Sequence, residues 1–165
     1  GLGIVSPIGN NADEVLASLK AGKSGIEANA DMAEHGFRSQ VSGAVKLNVA
    51  DHVDKRTLRF MGPGAAYSYI AMKQAIEDAG LDETQVVNPM TGVIAGSGGP
   101  STSAMFAAHK VVENTGATKR IGPFAVPKTM SSRWPSQFAR LVVPDFAVPT
   151  MTRSFFILVI WSCFR

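Results

Sequence analysis

The stretch Thr91-Gly-Val-Ile-Ala-Gly-Ser-Gly-Gly-Pro-Ser-Thr-Ser103 constrains the fold more than any other. Gly92 to Ala95 is a short apolar run of the kind that makes a buried strand. The run Gly96 to Pro100 forces that strand to end. Ser101 or Ser103 then supplies the N-cap of a helix through Met105, Ala108 and Val112. Strand, glycine loop and helix form the unit with which α/β proteins bring backbone N–H groups to a ligand. The same unit also serves as a plain tight turn. It is not a P-loop, because no Gly-Lys-Ser/Thr closes it, and the G-x-G-x-x-G spacing of a dinucleotide site is missing.

A length of 165 residues fits one domain that buries roughly 70% of its unfolded surface. A hydrophobic content of 45% with 18% charged residues is that of a folded chain rather than a disordered one. The net charge of +3 gives a mild preference for acidic partners and is far from a nucleic-acid signature. A single cysteine, Cys163, excludes an intrachain disulfide and a Cys-rich metal site. His35, His52 and His109 lack metal-ligand spacing and read as surface or cap histidines, so no metal or other cofactor is expected. No basic-then-apolar signal peptide is visible, and the seven-residue run Phe155 to Trp161 falls well short of the about 20 residues of a membrane span. The expected location is cytoplasmic. Gly1 to Val5 reads as a strand end and its turn, which implies residues upstream.

In chain order, Asn11 is the expected N-cap of a first helix, with Glu14 as its capping-box partner. Val15, Leu16 and Leu19 give that helix an apolar face, and Gly22 ends it. Alternation at Val41, Gly43 and Val45 suggests a strand within Ser39 to Leu47. Helical spacing over Asp51 to Arg59 puts Arg56 and Arg59 on one side with Lys55 beside them. After a break at Phe60 to Gly64, Tyr69, Met72, Ala75, Ile76 and Ala79 mark a packed helix. Gly80 and Leu81 end it in a Schellman motif, and a loop from Asp82 to Pro89 follows. Past a helix ending near Gly116 lies a second basic pair, Lys119 and Arg120. The two prolines in Gly122 to Ser132 argue for a loop or short strand lining a site.

Five segments in order then carry a resemblance. They are Gly-Leu-Gly-Ile-Val-Ser-Pro-Ile-Gly (1–9), Asp-Lys-Arg-x-x-Arg-Phe-Met (54–61), Ala-Ile-Glu-Asp-Ala-Gly-Leu (75–81), Ile-Ala-Gly-Ser-Gly-Gly (94–99) and Gly-Pro-Phe-x-Val-Pro-Lys-x-Met-Ser-Ser (122–132). Residues 1 to about 132 closely resemble the N-terminal part of the β-ketoacyl-acyl-carrier-protein synthase I family, the elongating condensing enzymes of bacterial fatty-acid synthesis. The resemblance implies an α/β, thiolase-like fold, present here as an incomplete N-terminal half with a mixed sheet and flanking helices. It implies homodimers and a decarboxylative Claisen condensation. In that reaction a cysteine thiolate accepts an acyl chain from acyl carrier protein, and two histidines help decarboxylate malonyl-carrier protein. It further implies that Lys55, Arg56, Arg59 and Lys119 present cations to the acidic carrier protein, and that Gly99 and Met130 lie near the acyl pocket.

The resemblance stops after Ser132. Where the family continues to a small-residue turn with the nucleophilic cysteine, this sequence runs Arg133-Trp134-Pro135-Ser136-Gln137. All 16 glycines lie at or before Gly122 and no lysine follows Lys128, whereas about two glycines would be usual in the last 33 residues. Residues 133–165 therefore read as a divergent tail, foreign to the fold, and residues 1–132 as a partial synthase domain. Cys163 has only Phe164 and Arg165 after it, so no following helix activates its thiol. The family histidines have no counterparts. The expectation is a synthase fragment, inactive alone. The alternative is a non-catalytic protein that binds acyl carrier protein through its basic surface. A third is a chain that does not fold stably, since Phe155 to Trp161 is an uncharged, aggregation-prone window.

Overall fold

The structure is a computed structural model that describes residues 1–87, 91 and 99–130. The organising strand and glycine loop, Gly92 to Gly98, lie outside the described residues, as do the segment 131–165 and with it Cys163 and Phe155 to Trp161.

Helix α4 (Pro63–Asp78) is the element on which the rest is laid. Gly62 is its N-cap and Pro63 stands at its first position, where a missing N–H costs nothing. It ends as its sequence predicts. Gly80 takes φ +64, its N–H bonds Glu77 O, and the Leu81 N–H bonds Ile76 O, which is a complete Schellman motif. Met72 and Ala75 are buried, as are Ala65, Ala66, Ile70 and Ala71. The inward face is thus wider than the expected stripe, and Ala79 is exposed. Tyr69 and Ile76 pack against a core that also takes in Val5, Val53 and Met61.

Residues 1–5 do not form a strand. They run along α4 and find their hydrogen-bond partners on its side chains. The Leu2 N–H donates to Asp78 Oδ2 at 2.8 Å, and the Ile4 N–H donates to Gln74 Oε1 at 3.0 Å. Gln74 Nε2 in turn donates to Asn10 O at 2.7 Å. One amide therefore joins both ends of the N-terminal segment to the helix. Gln74→Ala strands a half-buried N–H and a half-buried carbonyl, and is expected to cost about 1.5 kcal/mol. Urea unfolding checks this; an unchanged midpoint would show that water replaces the amide without loss.

Helix α1 (Ala12–Lys20) has the expected cap, with Asn11 Oδ1 accepting from the Glu14 N–H at 2.9 Å. Glu14 reaches back to the Asn10 N–H and to Asn11 Nδ2, rather than to the Asn11 N–H of a capping box. The apolar face expected of α1 is not buried among the described residues. Leu16 is 50% and Leu19 64% exposed, while Ser18 points inward and its hydroxyl donates to Ile8 O. Strands β1 (Ile26–Ala28) and β2 (Val41–Gly43) pair antiparallel, with Ile26 opposite Gly43 and Ala28 opposite Val41. Strand β2 is shorter than the expected Ser39–Leu47. Between them lies α2 (Ala30–Glu34), which His35 ends.

The single helix expected over Asp51–Arg59 is two pieces, a 3-10 turn (Val49–Asp51) ended by His52 and α3 (Lys55–Leu58). Asn48 and Asp54 each cap a separate start, which splits the segment. The expected loop after Leu81 contains one helical turn, α5 (Glu83–Val86), begun by an Asp82/Gln85 capping box. The Thr84 hydroxyl and the Gln85 N–H hold the Asp82 carboxyl below its usual range. Helix α6 (Thr102–Thr115) is capped by Ser101 and closed by Gly116 in the left-handed conformation. A 3-10 turn (Thr118–Arg120) follows. Within the loop or strand expected at Gly122–Ser132, Ala125–Thr129 is instead helix α7, and residues 131–132 lie outside the described residues. Pro127 fits there because the first turn of a helix leaves its N–H groups unpaired.

Candidate functional site

The cationic residues singled out from sequence fall on two elements. Lys55 and Arg56 open α3, Arg59 is its C-cap, and Lys119 stands in the 3-10 turn after α6. All four are exposed. Among the described residues no carboxylate pairs with any of them. The nearest acid in sequence, Asp54, is turned the other way: its Oδ2 accepts from the Arg56 and Thr57 N–H groups at 3.0 and 3.2 Å. Among the described residues that carboxylate caps the helix and makes no ion pair with the side chains beside it.

Phe124, the residue that precedes α7, meets the end of α3. The Arg59 guanidinium lies over its ring, with Cζ 5.7 Å from the centroid. The Phe60 ring meets it edge to face, 5.0 Å between centroids at 84°. Sequence reasoning did not single out Phe124. It stood inside a quoted motif, but its contact is with residues far away in the chain.

Gly99 and Met130, the expected pocket residues, are brought near each other by one backbone bond. The Ser101 N–H donates to Thr129 O at 2.9 Å, so the residues before α6 and after α7 lie alongside. A Cβ built on Gly99 would meet none of the described residues within 4 Å. Met130 is 47% exposed, and Val126 72%. Gly62 closes the junction from below: its Cα hydrogen faces Lys128 O, and a Cβ there would lie 2.5 Å from that oxygen. The site is therefore a meeting of the starts of α4 and α6 with the end of α7, bordered by the exposed apolar side chains of Val126 and Met130. Among the described residues no three His, Cys, Asp or Glu side chains gather to hold a metal, and no helix is long and apolar enough to cross a membrane.

Comparison with known proteins places these features in context. Residues 1–142 match the family model described as "Beta-ketoacyl synthase, N-terminal domain". The chain is similar to 3-oxoacyl-[acyl-carrier-protein] synthase 1 of Haemophilus influenzae, 52% identical over 132 residues that make up 80% of this chain and 32% of that one. The Escherichia coli K12 protein of the same name is 44% identical over 133 residues, 80% of this chain and 33% of the relative. The chain thus spans about a third of the length of these relatives. Among solved structures, a β-ketoacyl synthase from Burkholderia phymatum superposes with a TM-score of 0.65 at 23% identity, covering 79% of this chain and 32% of the other. That likeness is one of fold.

Proposed function

Given that the chain belongs to the β-ketoacyl synthase family, and has its thiolase-like α/β fold, we propose that residues 1–132 supply the carrier-protein docking face of a 3-oxoacyl-[acyl-carrier-protein] synthase. Lys55, Arg56, Arg59 and Lys119 form that face. The observation that carries this reading is a set of exposed cations, three of them at α3, that no carboxylate pairs with among the described residues while the adjacent Asp54 caps the helix. Carrier proteins are acidic, and exposed cations steer such a partner and fix its register more than they add affinity. Gly99 and Met130 contribute to the wall of the acyl pocket in the same reading: a glycine has no side chain to obstruct a chain, and an exposed methionine adapts to it. The decarboxylative condensation itself is not assigned to these residues, since no small-residue turn with a cysteine follows Ser132.

The test is a binding titration of acyl carrier protein against the 165-residue chain and its Lys55→Glu/Arg59→Glu variant. The variant is expected to bind about ten-fold more weakly at low ionic strength. The parent's advantage should shrink as salt rises, because screening acts over about 10 Å at 0.1 M. Equal affinity of parent and variant, both shown folded by circular dichroism, would remove the docking reading.

A further inference from the structure

Arginine side chains on a protein surface wander, and a partner that captures one must hold it still. Arg59 is already held. Its guanidinium lies on the face of Phe124, and Phe124 is itself braced by the edge-to-face contact with Phe60. The Phe124 backbone is fixed too, because its carbonyl accepts the Lys128 N–H of α7 at 3.1 Å. A cation over an aromatic ring is held by the ring's quadrupole without using up its N–H donors, and a guanidinium's five donors remain able to make the forked pairing that carboxylates accept.

We propose that Phe124 is a positioning residue of the docking surface, holding the Arg59 guanidinium over its ring so that its N–H edge meets an acidic partner. The proposal rests on the docking reading above. It assigns Phe124 a role distinct from the packing of α7.

The experiment is a double-mutant cycle on the full chain, read by titration with acyl carrier protein at low salt. Phe124→Leu keeps an apolar side chain but removes the ring. It is expected to weaken binding about three-fold, while Phe124→Tyr keeps the parental affinity. In an Arg59→Gln background, Phe124→Leu should have no further effect. If Phe124→Leu weakens Arg59→Gln by the same factor as it weakens the parent, the ring acts through the fold and the proposal is overturned. An unchanged affinity of Phe124→Leu overturns it as well. Should Arg59→Gln itself bind like the parent, Arg59 takes no part in docking and the proposal falls, whereas the docking reading falls only if Lys55→Glu/Arg59→Glu also binds like the parent. A measurement on the parent alone guards against a misfolded variant. The Arg59 side-chain N–H resonance should be displaced upfield by the Phe124 ring, and an undisplaced resonance overturns the proposal.

Discussion

Gly3→Ala is expected to destabilise the chain by about 3 kcal/mol, the upper end of what one added methyl costs in a packed site. Gly3 is buried against the middle of α4. A Cβ there would overlap the carbonyl oxygen of Ala71, and would stand 2.7 Å from its carbonyl carbon and 2.9 Å from the Ala75 nitrogen. These are backbone atoms inside a helix, so they cannot swing aside as a side chain would. The N-terminal segment cannot slide either. It is clamped on both sides of Gly3 by the bonds from Leu2 N–H to Asp78 and from Ile4 N–H to Gln74. Relief requires lifting the segment from α4, which breaks both bonds and uncovers Ala71, Ala75 and Val5. The glycine's φ is not positive, so the cost is steric rather than conformational. Urea unfolding followed by circular dichroism measures it. A Gly3→Ala protein within 0.5 kcal/mol of the parent would mean that residues 1–5 do not lie on α4 as described.

Local chemistry made much of this fold legible. The Asn11 and Ser101 caps, the Schellman end at Gly80 and the left-handed Gly116 all depend on residues within a few positions of each other. The misreadings arose where distant partners decide. Residues 1–5 have the composition of a strand, but among the described residues their N–H groups go to side chains of α4 instead of a neighbouring strand. The prolines of Gly122–Ser132 speak against a central strand and point to a loop or short strand, yet Pro127 sits in the first turn of a helix, where no N–H is missed. Leu16 and Leu19 have helical spacing, but spacing alone does not say which partner covers the face.

The candidate site was legible only in part for the same reason. Charge and spacing marked Lys55, Arg56 and Arg59 as a patch, and resemblance gave the patch a purpose. Neither revealed that Asp54 is occupied by backbone N–H groups, nor that Phe124 lies under Arg59. Both facts are geometric. An acid beside three cations would ordinarily be taken to neutralise them, and here capping decides otherwise. Gly99 and Met130 were expected near one pocket, and the Ser101–Thr129 bond brings their neighbourhoods together across α6 and α7.

Gly62→Ala carries that geometry into a second large effect, about 2 to 3 kcal/mol. The residue's φ of −81° and ψ of 170° suit any amino acid, so the backbone does not require glycine. Space does. The new methyl would sit 2.5 Å from Lys128 O and 3.2 Å from both Cβ and Oγ of Ser101. The serine hydroxyl can rotate, but the carbonyl belongs to α7 and moves only with that helix. Pushing α7 away strains the bond from Ser101 N–H to Thr129 O, shifts Met130 relative to Gly99, and draws Phe124 from beneath Arg59. One methyl at the start of α4 should therefore lower stability and also weaken carrier-protein binding, although Gly62 bears no charge. That separates it from Gly3→Ala, whose strain lies at Ala71 and Ala75, away from the start of α4, and should leave the affinity of the folded fraction unchanged. Hydrogen exchange reads the difference. In Gly62→Ala the amides of Ser101 and Met130, both bonded to carbonyls of α7, should exchange faster than in the parent even where the protein remains folded. Parental exchange at both amides would show that the junction of α4, α6 and α7 is looser than its contacts indicate, and that its glycine is dispensable.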